Sequence, residues 1–196
     1  MENINLTGHF LIAMPALTDP YFSKSVTFIC THNQDGAMGV VINRPTDVTF
    51  ETLFEKIKVP LQNSAVANQP VLYGGPVQPE RGFVLHTPSA KQEANDWDSS
   101  ITIAEHTALT TSKDILEAVA QGHGPEKMLL TLGYAGWTPG QLEQEIAQNA
   151  WLSVQAKDVA ELNKILYEID YDEKLNATLA LLGVDPAMLS DVAGHA

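Results

Sequence analysis

The sequence predicts an α+β fold with a mostly antiparallel sheet and helices at its periphery. Apolar runs of strand length dominate the first half, and turn residues join two of them into a hairpin. In the second half, apolar residues recur at helical spacing between capping signals. With 196 residues, the chain suffices for one large domain or two small ones and can bury a substantial core.

Phe10-Leu11-Ile12-Ala13-Met14 reads as the first strand, Ser25 to Thr31 as the second and Ala37 to Asn43 as the third. Asn33-Gln34-Asp35-Gly36 has the chemistry of a tight hairpin turn. The paired runs are nearly all apolar, which predicts burial on both faces. Phe50, Leu53, Phe54 and Ile57 are spaced as one face of a helix. Residues 59–70 and 88–98 read mostly as loops. Val71-Leu72-Tyr73, Phe83-Val84-Leu85, Ile101-Thr102-Ile103 and Met128 to Leu132 read as strands. Thr111-Ser112-Lys113-Asp114 opens a helix that Gly122 ends. Thr138-Pro139-Gly140-Gln141 has the form of a capping box. Trp151 to Val154 alternates like a strand. Asp158 starts a helix, Leu175, Leu179 and Leu182 mark another, and Asp185-Pro186 caps a terminal turn. The tail 191–196 is expected to fray.

A formal charge of −13 and a pI near 4.7 oppose binding to duplex DNA, because non-specific affinity comes from neutralising phosphates. The lone Cys30 excludes an internal disulfide and a Cys-rich zinc site. Its apolar strand context predicts a buried, inert thiol. An acidic start and the short apolar run at 10–13 argue against a signal peptide, and no run is long enough to span a bilayer. The expected location is cytoplasmic. No metal site is expected, because HExxH and Cys-His spacings are absent.

Two arginines stand against nine lysines, and both lie at turns beside strand-like runs. Guanidinium offers a planar fork of donors that ammonium cannot copy. Arg44 and Arg81 are therefore candidate ligand-binding residues, with His86 and His32 at the ends of neighbouring strands. Each histidine could instead bond to backbone. Tyr134 and Trp137 combine large area with polar tips and are candidates for a partner surface, a ligand lid or an aromatic plug. Gly74-Gly75-Pro76-Val77 could cradle an anion, but Pro76 lacks an N–H and a tight turn is the preferred reading. Ser112 with Lys113 is conceivable as a nucleophile and base, yet helix capping accounts for Thr111, Ser112 and Asp114 without chemistry. GxGxxG, P-loop, GxSxG and SxxK motifs are all absent, so no cofactor is expected.

Several short segments occur together in a characteristic order. They are Gly8-His9-Phe10-Leu11-Ile12-Ala13-Met14-Pro15, Asp35-Gly36-Ala37-Met38-Gly39, Gly74-Gly75-Pro76-Val77 and Arg81-Gly82-Phe83-Val84-Leu85-His86. Thr111-Ser112-Lys113-Asp114, Leu132-Gly133-Tyr134-Ala135-Gly136-Trp137, Gly140-Gln141-Leu142-Glu143 and Asn149-Ala150-Trp151 follow. Together they resemble the AlgH/YqgE family of bacterial proteins from Gly8 to about Gly183. The resemblance implies a bent, branching sheet closed into a pseudo-barrel with flanking helices, sometimes divided into a major and a minor part. It implies a single domain over 1–196. Family members are often labelled transcriptional regulators, and the resemblance carries no catalytic mechanism or catalytic residue.

The leading expectation is a non-enzymatic regulatory or interaction protein acting through a protein partner or a small anionic ligand. The alternative is an enzyme or sensor of a phosphorylated or carboxylated metabolite using Arg44, Arg81 and His86. Convergence of those three in one concave pocket favours the alternative. Their dispersal, with Trp137 on an exposed apolar patch, favours a protein partner. A DNA-binding regulator has only the family label behind it.

Overall fold

The computed structural model describes residues 5–88, 97–104 and 106–185. The chain begins with β1 (Phe10–Ala13), β2 (Val26–Asn33) and β3 (Gly36–Val41). β2 and β3 form the expected hairpin, ending at the Asn33–Gly36 pair. A register shift between Ile29 and Thr31 leaves Cys30 as the extra residue of a bulge. β4 (Pro45–Thr49) leads into α1 (Phe50–Lys56), whose first free amides are met by Thr49 accepting from the Thr52 N–H. Then follow β5 (Pro70–Tyr73), β6 (Val77–His86), β7 (Ser100–Ala104), β8 (Thr107–Thr110) and α2 (Lys113–Gln121). Gly122 closes α2 in the left-handed conformation, as its sequence position suggested.

β9 (Met128–Trp137) is the spine of the molecule. The strand order is β10-β1-β2-β3-β9-β6-β8-β7, with β10 at Trp151–Val154. β5 branches from β9 as its parallel neighbour, and β4 pairs with β5. β9 pairs β6 between Met128 and Tyr134, β5 at Thr131 and Leu132, and β3 through its last three residues. The sheet therefore divides along a single strand and curls into a half-barrel. Gly133 lies at the division with φ +73, and a Cβ there would meet the Gly75 carbonyl oxygen at 2.2 Å. The sequence reading ended this strand at Leu132; the glycine bends the strand and does not end it.

Alternation sorts the apolar residues into separate cores. Phe10, Ile12, Phe28 and Cys30 face Ile165, Leu166 and Leu179 on one side of the sheet. Leu11, Ala13 and Ile29 face Trp137, Leu142 and Trp151 on the other. Burial on both faces explains why β1 and β3 carry no polar side chain, while β2 carries Thr27, Thr31, His32 and Asn33 among its apolar residues. A third core packs Phe50, Phe54, Ile115 and Val119 of α1 and α2 over Val71, Val84 and Leu130.

α3 (Gln141–Ala147) starts at Gln141, with Gly140 before it at φ +74, so Pro139 is not its first helical residue. Half of the expected capping box survives: the Thr138 N–H donates to Gln141 Oε1 at 2.9 Å. Asp158 caps α4 (Val159–Asn163) by accepting from the Glu161 N–H at 2.8 Å. α4 runs into a π-helical turn, Lys164–Glu168, followed by α5 (Lys174–Leu181). Lys174 is fully buried, and its ammonium donates to the carbonyls of Ile165 and Leu166 at the end of the π-helical turn. Burial pulls its pKa down to about 8. No helix among the described residues is long and apolar enough to cross a membrane. The expected terminal turn at Pro186, the tail 191–196 and most of the 88–98 loop lie outside the described residues.

Candidate functional site

The inner side of the curled sheet holds a cavity of about 850 Å³. The end of the β2–β3 hairpin forms one wall and the start of β7 the opposite wall, with β6, β8 and β9 between them. Its apolar lining is made by Met38, Phe83, Leu109 and Tyr134 of the first core, and the cavity reaches the end of β9 at Gly136 and Trp137. Its rim is polar and carries Asn33, Asp35, Gln78, Arg81, Asp98 and Thr111. An apolar floor with a few placed polar groups is the usual composition of a small-molecule site.

Arg81 stands where β6 leaves its turn. One guanidinium nitrogen donates to Thr111 Oγ1 at 3.1 Å, another reaches Gln78 Oε1 at 3.5 Å, and the group rests 5.8 Å above the Phe83 ring. Both hydrogen-bond partners are neutral, and among the described residues no carboxylate pairs with Arg81. Tyr134 packs edge-on against Phe83, with ring centroids 5.4 Å apart.

Trp137 is nearly fully buried and does not form an exposed apolar patch. Its Nε1–H donates to Glu145 Oε2 at 2.9 Å, and the Trp151 Nε1–H donates to the same oxygen at 2.8 Å. Gln141 donates to the other oxygen at 2.8 Å. One carboxylate of α3 thereby fixes the indole at the end of β9 and the edge strand β10. Glu145 gave no motif in the sequence. Its role arises only because helix and strand geometry bring two indoles to one side chain.

The other sequence candidates lie elsewhere. Arg44 donates to the main-chain carbonyls of Pro20, Tyr21 and Ser23. Its neighbour Asn43 donates to the Lys24 carbonyl at 3.0 Å and accepts from the Val26 N–H at 2.8 Å. The pair fastens the segment 20–26 to the sheet. His86 is buried behind the cavity wall: its Nε2 accepts from Thr110 Oγ1 at 2.8 Å, and Thr110 meets Ser100 of the lining at 2.7 Å. His86 Nδ1 donates to the Thr87 carbonyl at 3.1 Å. The three residues Arg44, Arg81 and His86 do not converge.

His32 borders a different cavity, of about 690 Å³, shared with Asn5, Asp35 and Glu143. The Leu6 N–H donates to its Nδ1 at 3.1 Å, which makes Nε2 the protonated nitrogen, donating to Glu143 Oε1 at 3.0 Å. The glycine turn has no amide cradle at Gly74: the Gly74 N–H donates to Leu132 O at 2.8 Å. A Cβ on Gly75 would lie 2.1 Å from the Tyr134 carbonyl carbon, so glycine is needed there for close backbone approach.

The expected capping role of Thr111, Ser112 and Asp114 needs correction. Ser112 holds the N-cap position without a side-chain cap bond. Its hydroxyl accepts from the Ser99 N–H at 3.2 Å, and Asp114 accepts from the Asp98 N–H at 2.9 Å. These side chains anchor the cavity's β7 wall to α2. Burial pushes the Asp114 carboxyl up, but bonds from Ser112, Asp98 and Ile115 outweigh it and hold it below the usual value. Cys30 is buried, and desolvation pushes its thiol up to about 12.

A family model described as AlgH-like matches residues 10–187. The chain belongs to the AlgH-like family. A UPF0301 protein of Ralstonia nicotianae is 53% identical over 193 residues, spanning 98% of this chain and 96% of the relative. Another, of Thiobacillus denitrificans, is 52% identical over the full length of both. The solution structure of the AlgH protein from Pseudomonas aeruginosa is 42% identical. It covers 100% of this chain and 98% of its own, with a TM-score of 0.78. The half-barrel seen here is thus the AlgH-like fold.

Proposed function

We propose that this protein is a non-enzymatic regulatory or interaction protein that works by holding a small ligand in the concavity of its half-barrel. The cavity of about 850 Å³ carries this reading, because its volume and apolar floor suit a small molecule. Its described lining contains no histidine, lysine or cysteine. Ser100, Ser99 and the lining threonines therefore have no nitrogen base within the cavity, which weighs against nucleophilic catalysis. His86 stands two hydroxyls away from it, through Ser100 and Thr110. The cavity reaches the end of β9, and Trp137 there is tied through Glu145 to β10 and α3, so a bound ligand would bear on those elements. The −13 charge supports a protein or small-molecule partner over duplex DNA.

A fragment screen by ¹⁵N–¹H correlation spectroscopy tests the reading. Fragments should shift amides of Met38, Phe83, Ile101 and Tyr134 and leave those around Arg44 in place. A broad library that moves none of the cavity amides would remove the binding function.

A further inference from the structure

We propose that the cavity recognises a monocarboxylate with an apolar body of about the size of a substituted aromatic ring, its carboxylate on Arg81 and Thr111 and its body on Phe83, Tyr134 and Met38. This inference rests on the binding function proposed above and adds the chemical class of the ligand. The chain has 24 acidic residues against 11 Lys and Arg. Despite this excess, Arg81 is bonded only to neutral side chains. Arg81 retains donors beyond those used by Thr111 and Gln78, since guanidinium carries five N–H groups. Its planar fork matches the two oxygens of a carboxylate, and Thr111 Oγ1 at 3.1 Å adds a hydroxyl beside them.

The same geometry argues against a phosphate ester. Arg81 is the only cation in the described lining, while Asp35 and Asp98 are both at the rim. A dianion would meet one positive and two negative charges within a strongly acidic protein. The N-terminus of α2, which adjoins Thr111, is already occupied by Asp114, whose carboxylate accepts from the Asp98 and Ile115 N–H groups. The glycine turn before Arg81 adds no phosphate cradle at Gly74, because the Gly74 N–H is bonded to Leu132. A single carboxylate suits a single guanidinium. The Arg81–Phe83 stacking places that charge directly above the apolar floor, so charge and apolar body are read side by side.

Calorimetric titration with four matched probes decides the class: 4-phenylbutanoate, 4-phenylbutanamide, 4-phenylbutylamine and 4-phenylbutyl phosphate. The wild-type protein should bind the carboxylate about ten-fold or more tighter than the amide, the scale of a charge-assisted hydrogen bond. Arg81→Gln should erase that preference and leave amide affinity within about two-fold, since the apolar floor is untouched. Thr111→Val should weaken the carboxylate alone, and unchanged urea midpoints for both variants confirm that they fold. A phosphate ester or amine that binds more tightly than the carboxylate overturns the assignment. Equal binding of all four, insensitive to Arg81→Gln, overturns the carboxylate class and leaves the cavity's binding role standing. Failure of all four to bind also overturns the class, and the binding role falls only if the broad fragment library fails too.

Discussion

Arg44 donates to three main-chain carbonyls between Pro20 and Ser23, whereas Arg81 reaches two neutral side chains and lies over an aromatic ring. They are the chain's two arginines, and both stand at turns of the same sheet. Their difference lies in the acceptors. Backbone carbonyls cannot leave, so Arg44 is part of the scaffold. Side-chain hydroxyl and amide oxygens can rotate away, and two bonds leave three of the five guanidinium N–H groups unused, so Arg81 can serve a ligand at the cavity rim. An arginine's position at a strand end says little; what meets its fork decides its role.

The largest expected effect tests the scaffold side of that comparison. Arg44→Ala removes three charge-assisted bonds and should cost about 2–3 kcal/mol after allowance for partial exposure, read by urea denaturation. Arg81→Ala should cost about 0.5–1 kcal/mol, the scale of an exposed cation–ring contact. Equal losses from the two variants would erase the distinction drawn here.

A smaller effect is expected at the wall shared by Trp137 and Trp151. Glu145→Leu leaves two buried indole N–H groups without their acceptor and should cost about 1–2 kcal/mol. Two of the chain's three tryptophans are involved, so emission should change in the folded protein. The change should weaken binding at Arg81's cavity and leave the segment held by Arg44 undisturbed. Unaltered emission would show that Glu145 does not fix the wall.

A third effect, read against pH, concerns Lys174, which repeats Arg44's bonding to carbonyls inside the core. Its folded pKa of about 8 lies below that of a free lysine, about 10.4. Between those values the unfolded chain holds more protons, so this residue makes stability rise with pH. Cys30 acts oppositely: its folded value of about 12 lies above the unfolded one, and stability falls as pH passes the unfolded thiol's range near about 8.5. Lys174→Met should therefore remove a rising contribution that begins near pH 8 and keep the alkaline fall. Urea midpoints at a series of pH values on both proteins check this, and parallel curves would contradict it.

Much of the fold was legible because β1, β2 and β3 are buried on both faces and read as nearly continuous apolar runs. β4 and β8 were not. Their sequences, Pro45-Thr46-Asp47-Val48-Thr49 and Thr107-Ala108-Leu109-Thr110, are short and rich in threonine, so neither alternation nor an apolar run marks them. β9 was cut short because Gly133 reads as punctuation when it is a bend. For the site, Arg81, Tyr134 and Trp137 stood out as a rare cation and two large rings beside glycine turns, and all three line the cavity. Arg44 stood out as the other arginine at a turn and His86 as the end of a strand-like run, yet chain position does not reveal which acceptors lie opposite. Thr111 is 30 residues from Arg81, and its hydroxyl was read as a cap when it accepts from the guanidinium.

The two arginines permit a direct test of where a ligand binds. Each has one Nε–Hε group, and Arg44→Lys and Arg81→Lys assign the two resonances without ambiguity. Titration of 4-phenylbutanoate into ¹⁵N-labelled protein should shift and sharpen the Arg81 Nε–Hε signal while that of Arg44 stays fixed. Movement of the Arg44 signal with Arg81 unmoved would contradict the account.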